Sequence, residues 1–173
     1  MNKIARIFLR YIIILALGLG NLFIFYYIFT TPTIYLSYWI LKLFFDVSLS
    51  GVLISTGGDA VEIIKACVAG AAYYLLLLLN LGASMNAKKR ILSVIYSSIV
   101  LFLLNIIRIV ILSSLFFTNS SFFDITHKIV WYGLSTLFVV LIWFSEVYLF
   151  KIKEIPFYSD LIYLYKISKK KKK

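Results

Sequence analysis

Residues 91–117 read ILSVIYSSIVLFLLNIIRIVILSSLFF. The run holds no acidic residue, and at about 1.5 Å per residue a helix of this length crosses the roughly 30 Å of hydrocarbon in a bilayer. Outward from it lie three more apolar stretches, Tyr11–Phe29, Cys67–Ala83 and Lys128–Phe150. Of the 173 residues, 62% are hydrophobic, 18% aromatic and 14% charged, too few polar groups to clothe a soluble domain. This excludes a cytosolic globular enzyme, a disordered chain and a nucleic-acid reader. The expected fold is an all-α polytopic membrane protein of about four transmembrane helices, in one domain over residues 1–173. The first stretch exceeds a signal-peptide core, and Asn21-Leu22-Phe23 with Tyr26-Tyr27 offers no small-residue cleavage site, so it is read as an anchor.

The net charge of +11 comes from basic residues at the ends of apolar runs. With both termini cytoplasmic, all but four of the 18 basic residues fall inside: Lys3, Arg6 and Arg10, then Lys88, Lys89 and Arg90, then Lys151, Lys153, Lys166 and Lys169 to Lys173. That is the positive-inside pattern, and it places the chain in the plasma membrane as a multi-pass protein. Thr33–Phe45 is short for a span and carries Tyr35, Tyr38, Trp39 and Lys42, so it is expected to lie on the outer surface as an interfacial helix. After it, alternating residues around Gly57-Gly58-Asp59 predict a small outer β-hairpin with strands at 47–55 and 60–64. Residues 151–173 form a basic cytoplasmic tail that breaks at Pro156, lies against the anionic inner leaflet and ends in disordered lysines.

Ionisable groups inside a membrane bundle are paired or useful. Arg108 stands nine residues before Phe117, about 13 Å of helix rise from that outer end, and Asn105 is three residues earlier on the same face. His127 follows the outer loop Thr118–Thr126 and opens the last span, and Cys67 opens the second span just after the hairpin. Each has a plain alternative: a snorkelling arginine, a helix-end histidine, a cysteine used as small apolar packing. Yet three successive spans place them at one height. A thiol, an imidazole and a guanidinium together make an activated nucleophile with a base and an anion stabiliser.

The ordered set Cys67, Asn105-Ile106-Ile107-Arg108 and His127, with the cysteine opening a span after an outer hairpin, resembles the exosortase/archaeosortase family of membrane cysteine transpeptidases. The resemblance covers about residues 47–150 and fits a compact, divergent member, nearer the archaeosortase branch. Members commonly follow the cysteine with Ser or Thr and then Gly, where this chain has Val68-Ala69-Gly70, and many carry an acid two positions before it, where this chain has Lys65. The resemblance implies cleavage of exported proteins that end in a short motif, a transmembrane helix and a basic tail. Cys67 would attack the motif's carbonyl at the outer face to form a thioester, and an amine on a lipid or glycan would take the product. By the same resemblance Arg108 stabilises the oxyanion or thiolate, His127 is the base, and Asn105 orients Arg108 or donates to the substrate backbone. Asp124, three residues before His127, either orients the imidazole or caps a helix start. Glu62 and Lys65 either pair with each other or line the entrance.

Other readings stay open in the sequence. A non-enzymatic membrane subunit or anchor would pair Arg108 with an acid on a partner helix, Glu146 lying too near the inner end to serve. An aspartyl peptidase would draw two acids from Asp46, Asp59 and Asp124. A thiol–disulfide carrier lacks a resolving cysteine. One His and one Cys fall short of a zinc set, and Gly57-Gly58 lacks the Lys-Ser/Thr of a phosphate loop, so no cofactor or metal is expected.

Overall fold

The computed structural model describes residues 3–20, 22–153 and 155–171. Asn21, used above in the anchor argument, and Lys172 and Lys173 of the tail lie outside them. The elements in chain order are α1 (Lys3–Leu19), α2 (Phe23–Leu41), β1 (Ser48–Ser50), β2 (Leu53–Ser55), β3 (Ala60–Glu62), α3 (Lys65–Val68), α4 (Gly70–Gly82), α5 (Ala87–Phe117), α6 (Phe123–Ile129), a π turn (Val130–Leu134), α7 (Ser135–Phe150) and α8 (Tyr158–Lys171).

α5 organises the bundle, packing against α2, α4 and α7. It begins where the Asn86 side chain accepts from the Lys89 amide at 3.0 Å, an N-cap that satisfies one of the first-turn donors. Its buried stripe is Ser93, Ser97, Leu101, Asn105, Ile109 and Ser113, mostly small or polar residues at every fourth position. Its exposed stripe is Ile95, Ile99, Leu103, Ile107 and Ile111. A helix in water buries its large aliphatics. This one turns them outward and lets small residues bring neighbouring helices close, which is how helices pack when the surroundings are lipid. α5 and the stretch Lys65–Gly82 are each long and apolar enough to cross a membrane, and α1 with α2 adds a third if that bent pair is one span. α7 is apolar but shorter, at 16 residues.

The predicted first span and interfacial helix are both corrected. The Tyr11–Phe29 run is broken after Leu19, and the two helices meet at 62°. Leu22 enters the left-handed region at φ 58, ending one helix and capping the next. Thr33–Phe45 is not a helix of its own. Its first nine residues continue α2 through Pro32, and Thr33, Ile34, Ser37 and Leu41 are buried along one face. The aromatic residues Tyr35 and Trp39, which suggested an interface, occupy the opposite, exposed face.

The predicted hairpin is a three-stranded antiparallel meander in the order β1-β2-β3, with Leu49 opposite Ile54 and Ile54 opposite Val61. Gly51, at φ 62, folds the first predicted strand in two, because a two-residue hairpin loop needs a positive φ. The sheet's core face carries Ile54 and Ile63, buried with Ile34 and Leu41 of α2 and Ile109 of α5, with Leu49, Val61 and Cys67 packed against them. A second cluster joins Tyr73 and Leu76 of α4, Leu101 of α5 and Val139 and Ile142 of α7.

At the end of the bundle away from the sheet, the tail docks back on the chain. Asp160 is buried and receives Arg10 Nη2 at 2.6 Å, while Arg10 Nη1 donates to the Leu81 carbonyl at 3.0 Å. The Phe157 ring lies over Gly82, where a Cβ would stand 2.7 Å from it, and its amide donates to the Gly82 carbonyl. The lysine run expected to be disordered is helical as far as Lys171.

Candidate active site

The site grows out of a broken helix. Lys65–Val68 make one helical turn, Ala69 turns left-handed at φ 60 and ψ 36, and Gly70 restarts the helix as α4. Gly70 is required there because a Cβ would stand 2.7 Å from the Tyr26 ring. The break takes the carbonyls of Ala66 and Cys67 out of a continuous helical ladder, and backbone acceptors inside a bundle need donors. α5 supplies them. Asn105 Nδ2 donates to the Cys67 carbonyl at 2.7 Å, and Arg108 Nη2 donates to the same oxygen at 3.1 Å and to Ala66 O at 3.5 Å.

Arg108 is held from its other side as well. Nη1 donates to Ser135 Oγ at 3.1 Å, and the Ser135 hydroxyl donates to the Val130 carbonyl at 3.1 Å across the π turn. That wide turn sets Ser135 five residues past its acceptor, and π turns of this kind recur at functional sites. The third guanidinium nitrogen, Nε, is buried and has no partner among the described residues.

His127 lies inside α6, because the predicted loop Thr118–Thr126 closes early and the helix begins at Phe123. Its ring stacks on Phe123 at 5.5 Å and 7°, with Trp131 following at 6.1 Å. Both neighbours are four residues away, on one helical face. Asp124 occupies the first turn of α6, where its charge meets the positive end of the helix. It is exposed, and no hydrogen bond joins it to His127 among the described residues.

Cys67, Arg108 and His127 line one cavity of about 480 Å³, walled by Ile109, Leu112, Phe116, Val130 and Trp131 and by residues 60–64. The volume is that of a ligand pocket, and the walls are apolar except where these three side chains, Glu62 and Ser113 enter. Asn105 acts on the backbone of Cys67 and does not line it. Asp46, Asp59 and Asp124 are not among the lining residues, and Lys65 sits over the Tyr26 ring at 5.7 Å without an ion pair to Glu62 among the described residues.

Sequence reasoning missed Ser135, Phe123 and Trp131. Their signal was present, since Phe123, His127, Trp131 and Ser135 recur at every fourth position. It also missed what surrounds Glu146. That carboxylate is fully buried near the tail end, accepting from Asn80 Nδ2 at 3.0 and 3.1 Å and from Ser93 Oγ at 2.9 Å. Comparisons with protein-family models, with curated proteins and with solved structures give no match to this chain.

Proposed function

We propose that the chain is a membrane cysteine peptidase and transpeptidase of the exosortase/archaeosortase type. The observation that carries the reading is the one cavity that Cys67, Arg108 and His127 all line. A second support is the left-handed backbone at Ala69. It falls two residues after the cysteine, where family members commonly have glycine, the residue for which that conformation is free of strain.

In this reading His127 takes the Cys67 thiol proton and the sulfur attacks a peptide carbonyl of the substrate. The carbonyl oxygen gains the negative charge, and the guanidinium of Arg108, anchored by Ser135 and by the Cys67 carbonyl, faces it. The C–N bond then breaks as His127 returns the proton to the leaving amine, and a thioester remains on Cys67. An amine on a lipid or glycan displaces the sulfur, and the thiol is regenerated. A substrate tethered by its own helix presents the bond at fixed height, which removes most of the search.

The topology belongs to the same proposal: four spans, both termini cytoplasmic and the sheet outside, as the basic clusters ask. α6, the π turn and α7 follow without a break from Phe123 to Phe150, giving the last span the length that α7 alone lacks. α8 then lies on the inner leaflet, its apolar stripe Tyr158, Leu161, Ile162 and Tyr165 outward and its acid turned in toward Arg10.

Arg108 finds acceptors within the chain, which weakens the subunit reading in which it awaits an acid on another helix. The decisive test is processing in cells. Exported proteins of the same genome that end in a shared motif, one apolar helix and a basic tail are co-expressed with the enzyme. A shortened product should appear with the natural chain and vanish with Cys67→Ala. Continued processing by the Cys67→Ala protein would end the proposal.

A further inference from the structure

The cavity has one wall of an unusual kind. Residues 60 to 64 all line it in unbroken succession. A strand that offered a cavity one of its faces would contribute alternate residues, since successive side chains point to opposite sides. All three residues of β3 and the two that follow it therefore meet the cavity, as a backbone running along the wall does.

The hydrogen bonds fix which groups lie on the edge of β3. Ile63 donates to the Val52 carbonyl and Thr56 donates to the Asp59 carbonyl, so 52 with 63 and 56 with 59 are bonded pairs of the β2–β3 ladder. Bonded pairs alternate along an antiparallel ladder, so Ile54 with Val61 is bonded and Leu53 with Glu62 and Ser55 with Ala60 are not. The amides and carbonyls of Ala60 and Glu62 therefore point away from β2. β3 is the last strand of its sheet, and none of these four groups has a partner among the described residues. A free edge of this kind is a template for one more strand.

We propose that the site takes an extended polypeptide backbone as a fourth strand on β3, paired with Ala60 and Glu62, so that the chain is led toward Cys67 five residues further on. The substrate class is thus an unfolded, extended peptide segment recognised mainly through its main chain. The facing wall of Phe116, Val130 and Trp131 would meet side chains and supply what selectivity there is. The inference rests on the peptidase reading above and deepens it.

Cys67 is the only cysteine, so alkylation of the intact protein reports on one atom. The full-length protein in lipid nanodiscs is treated with chloroacetamide and with an acetyl-tetra-alanyl chloromethyl ketone. The ratio of the two rates is divided by the same ratio for free cysteine. This quotient measures peptide recognition alone; the absolute chloroacetamide rate measures activation of the thiol, so a slow thiol would count against the peptidase without touching the strand pairing. The expected quotient is about tenfold, the worth of one or two net backbone hydrogen bonds. Methylating alternate amide nitrogens of the peptide should return it to one. Glu62→Pro, which removes an outward amide and is tolerated on a free edge, should do the same. Glu62→Gln should keep the tenfold advantage. A quotient of one for the natural protein, or an N-methylated peptide as fast as its parent, would overturn the inference, and the peptide arm decides even if Glu62→Pro fails to fold.

Discussion

Near the tail end of the bundle Glu146 accepts three hydrogen bonds from Asn80 and Ser93, and Ser97 donates back to the Ser93 carbonyl. None of these side chains lines the cavity. At the sheet end Arg108, Asn105 and Cys67 are tied as tightly, through Ser135 and the carbonyls of residues 66 and 67, but there the cavity opens beside them. Each knot leaves one atom over: Asn80 Oδ1 at the tail end, Arg108 Nε at the sheet end. A spare carbonyl oxygen is a common and mild defect, since an amide oxygen can do without its second partner. A spare charged nitrogen on a side chain that also lines ligand-sized space is a different matter. The contrast teaches that burial of a polar group in a membrane bundle does not mark function. Room for a partner does.

The sharpest way to break this contrast is to exchange the injuries. Cys67→Ala should abolish processing completely and leave the melting of the purified protein near that of the natural chain, because the cysteine is only partly buried and its ties run through the backbone. Glu146→Ala should do the reverse. It leaves a fully buried amide and hydroxyl short of an acceptor, which costs about 1–3 kcal/mol of stability. The rate at which Cys67 reacts with chloroacetamide should then stay within about twofold, as sites far apart are usually independent. A Glu146→Ala protein that is stable but unreactive at Cys67 would show that the two knots are one device.

Ser135→Ala is a smaller cut at the sheet end alone. The guanidinium loses its acceptor on α7 and keeps those on the α3 backbone, so it should swing and present Nε less well. The expected loss is roughly tenfold in Cys67 alkylation, with about 1 kcal/mol of stability. Equal rates for Ser135→Ala and the natural protein would mean that Arg108 needs no aiming, and would leave it as a structural pin of the helix break.

How much of this was legible follows the same line. Apolar length and the fourfold stripe of α5 were readable because they obey one helix's period. Cys67, Arg108 and His127, put at one height from the rise of their apolar runs, line one cavity. Alternation gave strands on both sides of Gly57-Gly58, but Leu49 and Ile54 share a face only because the chain turns at Gly51, which alternation does not show. What failed were decisions made by packing between segments distant in sequence. The helical stretch after Pro32 runs on because Thr33, Ile34, Ser37 and Leu41 have the sheet and α5 to cover them, and no local signal says so. The hydrogen bond from Arg108 to Ser135 likewise joins two helices, and depends on a π turn that has no compositional signature.

The smallest prediction reaches the hinge of the whole comparison. Ala69 is the one residue between α3 and α4, and it holds a left-handed conformation that costs a side-chain-bearing residue about 1 kcal/mol or slightly more. Ala69→Gly removes that strain and adds freedom to the unfolded chain, so the net gain should be about 0.5 kcal/mol, near the limit of a careful unfolding titration. If the break exists to free the Cys67 carbonyl for Asn105 and Arg108, the glycine protein should keep the break and react at the same rate. If instead Ala69 is strained only because those two side chains pull on the carbonyl, then Asn105→Ala should let residues 65–82 close into a continuous helix, and Ala69→Gly would then destabilise that variant. The sign of the glycine effect in the Asn105→Ala background therefore tells whether the helix break makes the site or the site makes the helix break.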